Sequence, residues 1–141
     1  MDIPFNDAEQ KQLCRLALEA RDQAYAPYSH HPVGAVLRTE NGQIFSGCNV
    51  ENAAHPLGQC AEASAIGAMV RAGERRITDV FVVGPGPHAC TPCGGCRQKL
   101  WEFSDANTRV HLCVDDRVER IVTLGELLPA AFGRADVERD P

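Results

Sequence analysis

Cys60-Ala61-Glu62 stands about thirty residues ahead of Thr91-Pro92-Cys93-Gly94-Gly95-Cys96-Arg97-Gln98, and this pairing constrains the chain more than anything else in it. Two clusters of metal-type ligands accompany one spare carboxylate. Three protein ligands leave a fourth position on zinc for water, and a carboxylate outside the ligand set can move that water's protons. The expected site is therefore one Zn2+ per chain on Cys60, Cys93 and Cys96, with Glu62 as proton carrier. Electrostatics agrees with spacing, because each of these cysteines is expected at a helix start, where the positive end of the dipole favours a thiolate. Two other readings use the same residues. Cys90-x-x-Cys93-x-x-Cys96 with Cys60 could close a four-ligand structural zinc site, making a non-enzymatic scaffold. Cys93 and Cys96 alone could be a redox pair, which would leave Cys60 and Glu62 without a role.

Size and charge narrow the partners. A chain of 141 residues is expected to form one domain over 1–141 and to bury roughly two thirds of its unfolded surface in one core. Its 14 Lys and Arg are scattered, the net charge is -5, and no aromatics interleave with basic residues, so no nucleic-acid groove is expected. A small-molecule substrate fits better. Neither a basic leader nor an apolar run of membrane-spanning length is visible, and a cytoplasmic location with no membrane partner is expected. Seven cysteines in CxxC-type clusters suit metal binding in a reducing compartment better than a disulfide framework. Cys14, Cys48 and Cys113 fall among apolar neighbours and are expected in the core. His30, His55, His88 and His111 have no ligand-type spacing and are expected to be exposed or locally bonded.

Local patterns set the order of elements. Asn6 followed by Glu9 predicts a capped helix that ends before Pro27. Residues 33–39 and 43–48 are β-prone and flank Asn41-Gly42, a strong hairpin signal. A polar loop follows over 49–59, and a second helix opens at Cys60 and ends near Gly73. Residues 79–83 form a buried strand, which Gly84-Pro85-Gly86-Pro87 stops. Cys93 and Cys96 then begin a third helix running to about Phe103, and further strands are expected at 108–114 and 120–123. Helices between the later strands imply an α/β layer fold.

The Cys60-Ala-Glu and Pro92-Cys93-x-x-Cys96 motifs resemble those of the small, oligomeric cytidine deaminases in their all-cysteine form. The likeness extends through Tyr28-Ser29, Pro32-Val33-Gly34-Ala35, Gly47-Cys48-Asn49-Val50-Glu51-Asn52-Ala53 and Leu127-Leu128-Pro129. What the resemblance implies is a three-layer α/β/α sandwich with a mixed sheet of roughly five strands and zinc-dependent hydrolytic deamination of cytidine and deoxycytidine. In that chemistry Glu62 takes a proton from water, protonates N3 and delivers a proton to the departing amine. The resemblance further implies that Asn49 and Glu51, with the backbone of Val50 between them, hold the ribose 3'-hydroxyl, and that the Ala61 N-H reaches O2 of the base. It implies that Phe132 covers the base from a neighbouring subunit of a homotetramer. Two departures stand out. Ala63 occupies a position where many three-cysteine members carry an arginine that offsets the thiolates, leaving Arg97 and the helix dipoles as substitutes. His31 occupies a position commonly held by phenylalanine, which opens the alternative of an aminohydrolase of N4-modified cytidines or a related aminated heterocycle.

Overall fold

The computed structural model describes residues 4–138. Helix α1 (Asp7–Asp22) starts as its sequence predicts, with the Asn6 side chain accepting the Glu9 N-H at 2.9 Å. Strands β1 (Gly34–Thr39) and β2 (Ile44–Cys48) form the expected hairpin, and Gly42 at φ 77 supplies the left-handed residue of its turn. Then follow α2 (Ala61–Arg71), β3 (Ile77–Val83), α3 (Gly94–Glu102), β4 (Arg109–Val114), β5 (Arg117–Thr123) and two short helices, α4 (Leu124–Leu127) and α5 (Arg134–Val137). The sheet has the order β2-β1-β3-β4-β5; β3 and β4 are parallel and all other neighbours antiparallel.

Strand alternation decides which helix covers which face. Ala35 and Leu37 of β1, Val80 and Val82 of β3, and Val110 and Leu112 of β4 share one core with Ala61, Ala65 and Met69 of α2 and Leu100 of α3. Val36, Phe81, Val83 and Cys113 point to the opposite face and pack against Leu13, Cys14 and Ala17 of α1. The result is the three-layer sandwich with a mixed five-stranded sheet. Contact on the α2 side is close enough to exclude a side chain at Gly47, where a Cβ would lie 2.5 Å from the Ala65 nitrogen and 2.6 Å from the Ala61 oxygen. That glycine sets the height of α2 above β2.

Three differences from the sequence reading have plain causes. Strand β5 begins at Arg117 and not at 120, because ladder bonds with β4 carry charged residues of an outer strand whose own pattern has little apolar signal. Helix α4, with a reciprocal capping box of Thr123 and Glu126 at its start, is a single turn too short to show a helical apolar repeat in the sequence. His111 is the third: it is fully buried and bonded across strands, not exposed or local. Its Nε2 donates to Asp79 Oδ1 at 2.9 Å, and its ring stacks on Phe81 with centroids 4.1 Å apart. Arg109 adds two bonds to the same carboxylate at 2.6 and 2.9 Å, and Arg38 stands 3.9 Å from it. One buried carboxylate on β3 thereby ties β1 and β4 together.

Candidate active site

Both helices that carry the cysteines start at one of them. Cys60 is the N-cap of α2 and Cys93 the N-cap of α3, each in extended backbone, and Cys96 lies in the first turn of α3. Their Sγ atoms lie within 4.8 Å of one another, with Cys60 and Cys93 3.9 Å apart. A tetrahedral zinc with bonds of about 2.3 Å separates its sulfurs by about 3.8 Å, so the donor set fits that ion in chemistry and spacing. Cys90 is not part of this cluster: its Sγ sits 3.9 Å from His31 Nε2. Three thiols, and not four, converge.

Burial raises the Cys60 thiol, and burial with the nearby Glu62 charge raises that of Cys96. At Cys93 burial also pushes upward, but hydrogen bonds from the Cys96 N-H and the neighbouring thiols outweigh it and the thiol is lowered. Three thiolates side by side therefore need a cation, which is how metal binding becomes coupled to ionisation. Two helix N-termini contribute part of the required positive potential.

Glu62, one residue into α2, is only 3% exposed. Burial raises its carboxyl, opposed by its own backbone hydrogen bond, the Cys96 thiol and the charge of Lys99. A cavity of about 390 Å³ opens onto this carboxylate, lined also by Cys60, Ala61 and Cys93 and by Ser29, Asn49 and Glu51. Glu51 is held by the N-H groups of Tyr28 at 3.0 Å and Ser29 at 3.2 Å and by the Ser29 hydroxyl; that hydroxyl is the main reason its carboxyl is lowered. The Asn49 amide clamps the loop before β1, accepting from Val33 N at 2.8 Å and donating to the His31 carbonyl at 2.9 Å.

The structure thus brings together Cys60, Ala61, Glu62, Cys93, Cys96, Asn49 and Glu51. Val50 lies along an adjoining cleft, its backbone paired with Gln59. Phe132 is outside its own chain's cavity and 62% exposed, with its carbonyl accepting from Gln98 Nε2 at 2.8 Å. Arg97 spends its donors on carbonyls, Nε on Pro92 at 2.8 Å and Nη1 on Leu127 at 2.9 Å, and among the described residues it bonds no ligand sulfur. Ser29, to which sequence reasoning assigns no role, lines the cavity, and so does Cys90, which stands there as a wall residue and not as the fourth ligand of a closed zinc site. The side chain of Ser29 is recognisable only once Glu51 is seen beside it.

A triad of thiols on two helix starts, with a buried carboxylate beside it and a cavity in front, defines the class of zinc hydrolases that act on small polar molecules. The chain matches the family model described as the cytidine and deoxycytidylate deaminase zinc-binding region over residues 7–112. It is 39% identical to a cytidine deaminase of Sporosarcina psychrophila over 97% of this chain and 96% of that one. Among solved structures, cytidine deaminase from Burkholderia pseudomallei superposes with a TM-score of 0.79 at 42% identity, covering 86% of this chain and 97% of that one. The Mycobacterium tuberculosis enzyme gives 0.80 at 34% identity, covering 94% and 99%. The chain belongs to the cytidine and deoxycytidylate deaminase family.

Proposed function

We infer that the chain hydrolyses the C4–N4 bond of cytidine and deoxycytidine, giving uridine or deoxyuridine and ammonia. The observation that carries this reading is the buried Glu62 carboxylate sharing one cavity with Cys60 and Cys93, in a chain whose full-length relatives are cytidine deaminases. Cys60, Cys93 and Cys96 would hold zinc, which when bound would supply Lewis-acid activation of the attacking water. Glu62 takes a proton from the attacking water, passes one to N3, and returns one to the leaving amine, so that one carboxylate serves both halves of the reaction. The Ala61 N-H, at the first position of α2 and without an intrahelical partner, suits O2 of the base. Glu51, held ionised by Ser29 and Tyr28, accepts from the 3'-hydroxyl of the sugar, with Asn49 and the backbone of Val50 shaping that end. Arg97, half-buried beside Cys96, acts on the thiolates through space while the two helix N-termini act directly.

Phe132 covers the base in a neighbouring copy, and the working unit is a homotetramer in the cytoplasm acting in pyrimidine salvage. The exposure of Phe132 supports the shared site, and the exposed apolar side chains of Tyr25, Val50 and Leu57 support association between copies. No helix among the described residues is long and apolar enough to cross a membrane. Loss of the cytidine absorbance on incubation with zinc-loaded protein tests the activity; a protein with one zinc per chain and no turnover of cytidine or deoxycytidine would end the reading. For the shared site, mixing inactive Glu62→Gln chains with impaired Phe132→Ala chains is expected to restore activity in hybrids. Mixtures no better than the sum of their parts would confine each site to one chain.

A further inference from the structure

The cavity that holds Glu62 has a wall that the deamination chemistry leaves unused. It consists of Val82 from β3, of His31 and Val33 from the loop before β1, and of Cys90 and Thr91 from the loop after β3. His31 is held at both ends of its backbone: its N-H donates to Ser29 Oγ at 3.1 Å, and its carbonyl accepts from Asn49 Nδ2 at 2.9 Å. One residue earlier, His30 adopts φ 56, a left-handed conformation uncommon for a residue with a side chain. The chain thus turns under strain at His30 and is clamped at His31, with the imidazole on the cavity. That ring's polar contact is Cys90 Sγ at 3.9 Å, the long limit of a sulfur hydrogen bond, so its nitrogens retain bonding capacity. Behind the pair stands Gly84. A Cβ there would lie 2.8 Å from Cys90 Cβ, 3.2 Å from its Sγ and 3.8 Å from His31 Nε2. The missing side chain lets Cys90 and His31 stand back and keeps this corner open.

A cytosine ring with C4 at the three sulfurs and its sugar at Glu51 turns its N3–C2 edge towards Glu62 and Ala61, which share α2. C5 then lies on the edge away from α2, where the remaining lining residues are those of this wall. We propose that His31 is a specificity-determining residue that hydrogen-bonds a polar substituent on C5, admitting cytosine nucleosides with a hydroxymethyl-type group there. Cys90 and Gly84 supply the room. The proposal rests on the deaminase reading, and the same assay separates the two.

The test compares kcat/KM of the zinc-loaded enzyme for cytidine, 5-methylcytidine and 5-hydroxymethylcytidine. One added neutral hydrogen bond at an accessible site favours the hydroxymethyl over the methyl compound by about tenfold. His31→Phe is expected to bring that ratio to about one, and His31→Ala gives the same reading where phenylalanine is not accommodated. Gly84→Ala is expected to lower both 5-substituted substrates relative to cytidine while leaving their mutual ratio. A native ratio near one, or a ratio that survives loss of the imidazole, overturns the proposal; equal treatment of all three substrates by Gly84→Ala removes Gly84 and Cys90 from it. Failure to turn over cytidine itself strikes the deaminase reading instead.

Discussion

Acid should loosen this sheet through one carboxylate, and replacing Asp79 with asparagine should remove that sensitivity. Asp79 is fully buried, which alone would raise its carboxyl, but the bonds from Arg109 and His111 and the Arg109 charge outweigh burial and hold it at about 2, against an ordinary 3.8. The folded state therefore favours the ionised form. At ~1.4 kcal/mol for each pH unit, a drop of nearly two contributes about 2 kcal/mol of stability. Because the folded value is depressed, this contribution is complete above pH ~4 and is lost as the pH falls from about 4 to about 2. Asp79→Asn cannot ionise and leaves Arg109 without its buried partner, at a cost of about 3 kcal/mol near neutrality. The assay is urea unfolding followed by fluorescence of Trp101, the single tryptophan, at steps from pH 6 to pH 2.5. Acid also releases a thiolate-bound metal, so the quantity read is the stability difference between native and variant at each pH, in which metal loss cancels. That difference is expected to shrink by about 2 kcal/mol on acidification. A difference that stays constant across the range would show that Asp79 ionisation does not hold the three strands.

The remaining predictions concern the site. Glu62→Gln is expected to keep one zinc per chain and lose at least about 10⁴ in kcat, since one group carries every proton; metal analysis beside a deamination assay reads both, and near-native turnover would remove Glu62 from the mechanism. Glu51→Ala is expected to weaken use of cytidine by tenfold or more and to leave its 3'-deoxy analogue nearly unchanged, because a charged hydrogen-bond partner of the hydroxyl is lost; equal discrimination by native and variant enzymes would exclude the sugar contact. Gly47→Ala should push α2 away from β2, given the 2.5 and 2.6 Å approaches its Cβ would make. A displacement near 1 Å of the helix that carries Glu62 is expected to cost about 10²-fold in kcat with zinc retained, and unchanged kcat would show that α2 yields elsewhere.

What was legible in the sequence was the chemistry and most of the element order. Cys60-Ala61-Glu62 and Pro92-Cys93-x-x-Cys96 name ligands and proton carrier because zinc and proton transfer require particular atoms, and the motif spacing preserves them whatever surrounds them. Asn6 with Glu9, and Asn41-Gly42, mark a helix start and a hairpin because backbone geometry there depends on neighbouring residues alone. Contacts between distant residues were hidden. Nothing local to His111 announces Asp79 on the adjacent strand, nor does Glu51 announce the Ser29 hydroxyl 22 residues away. Likewise, Cys90 has ligand spacing in the sequence, yet the path of the loop after β3 carries its sulfur to His31 and leaves three thiols to converge. Residue type and short-range spacing decided what the site can do; sheet register and helix height decided which side chains reach it, because those follow from packing over the whole chain.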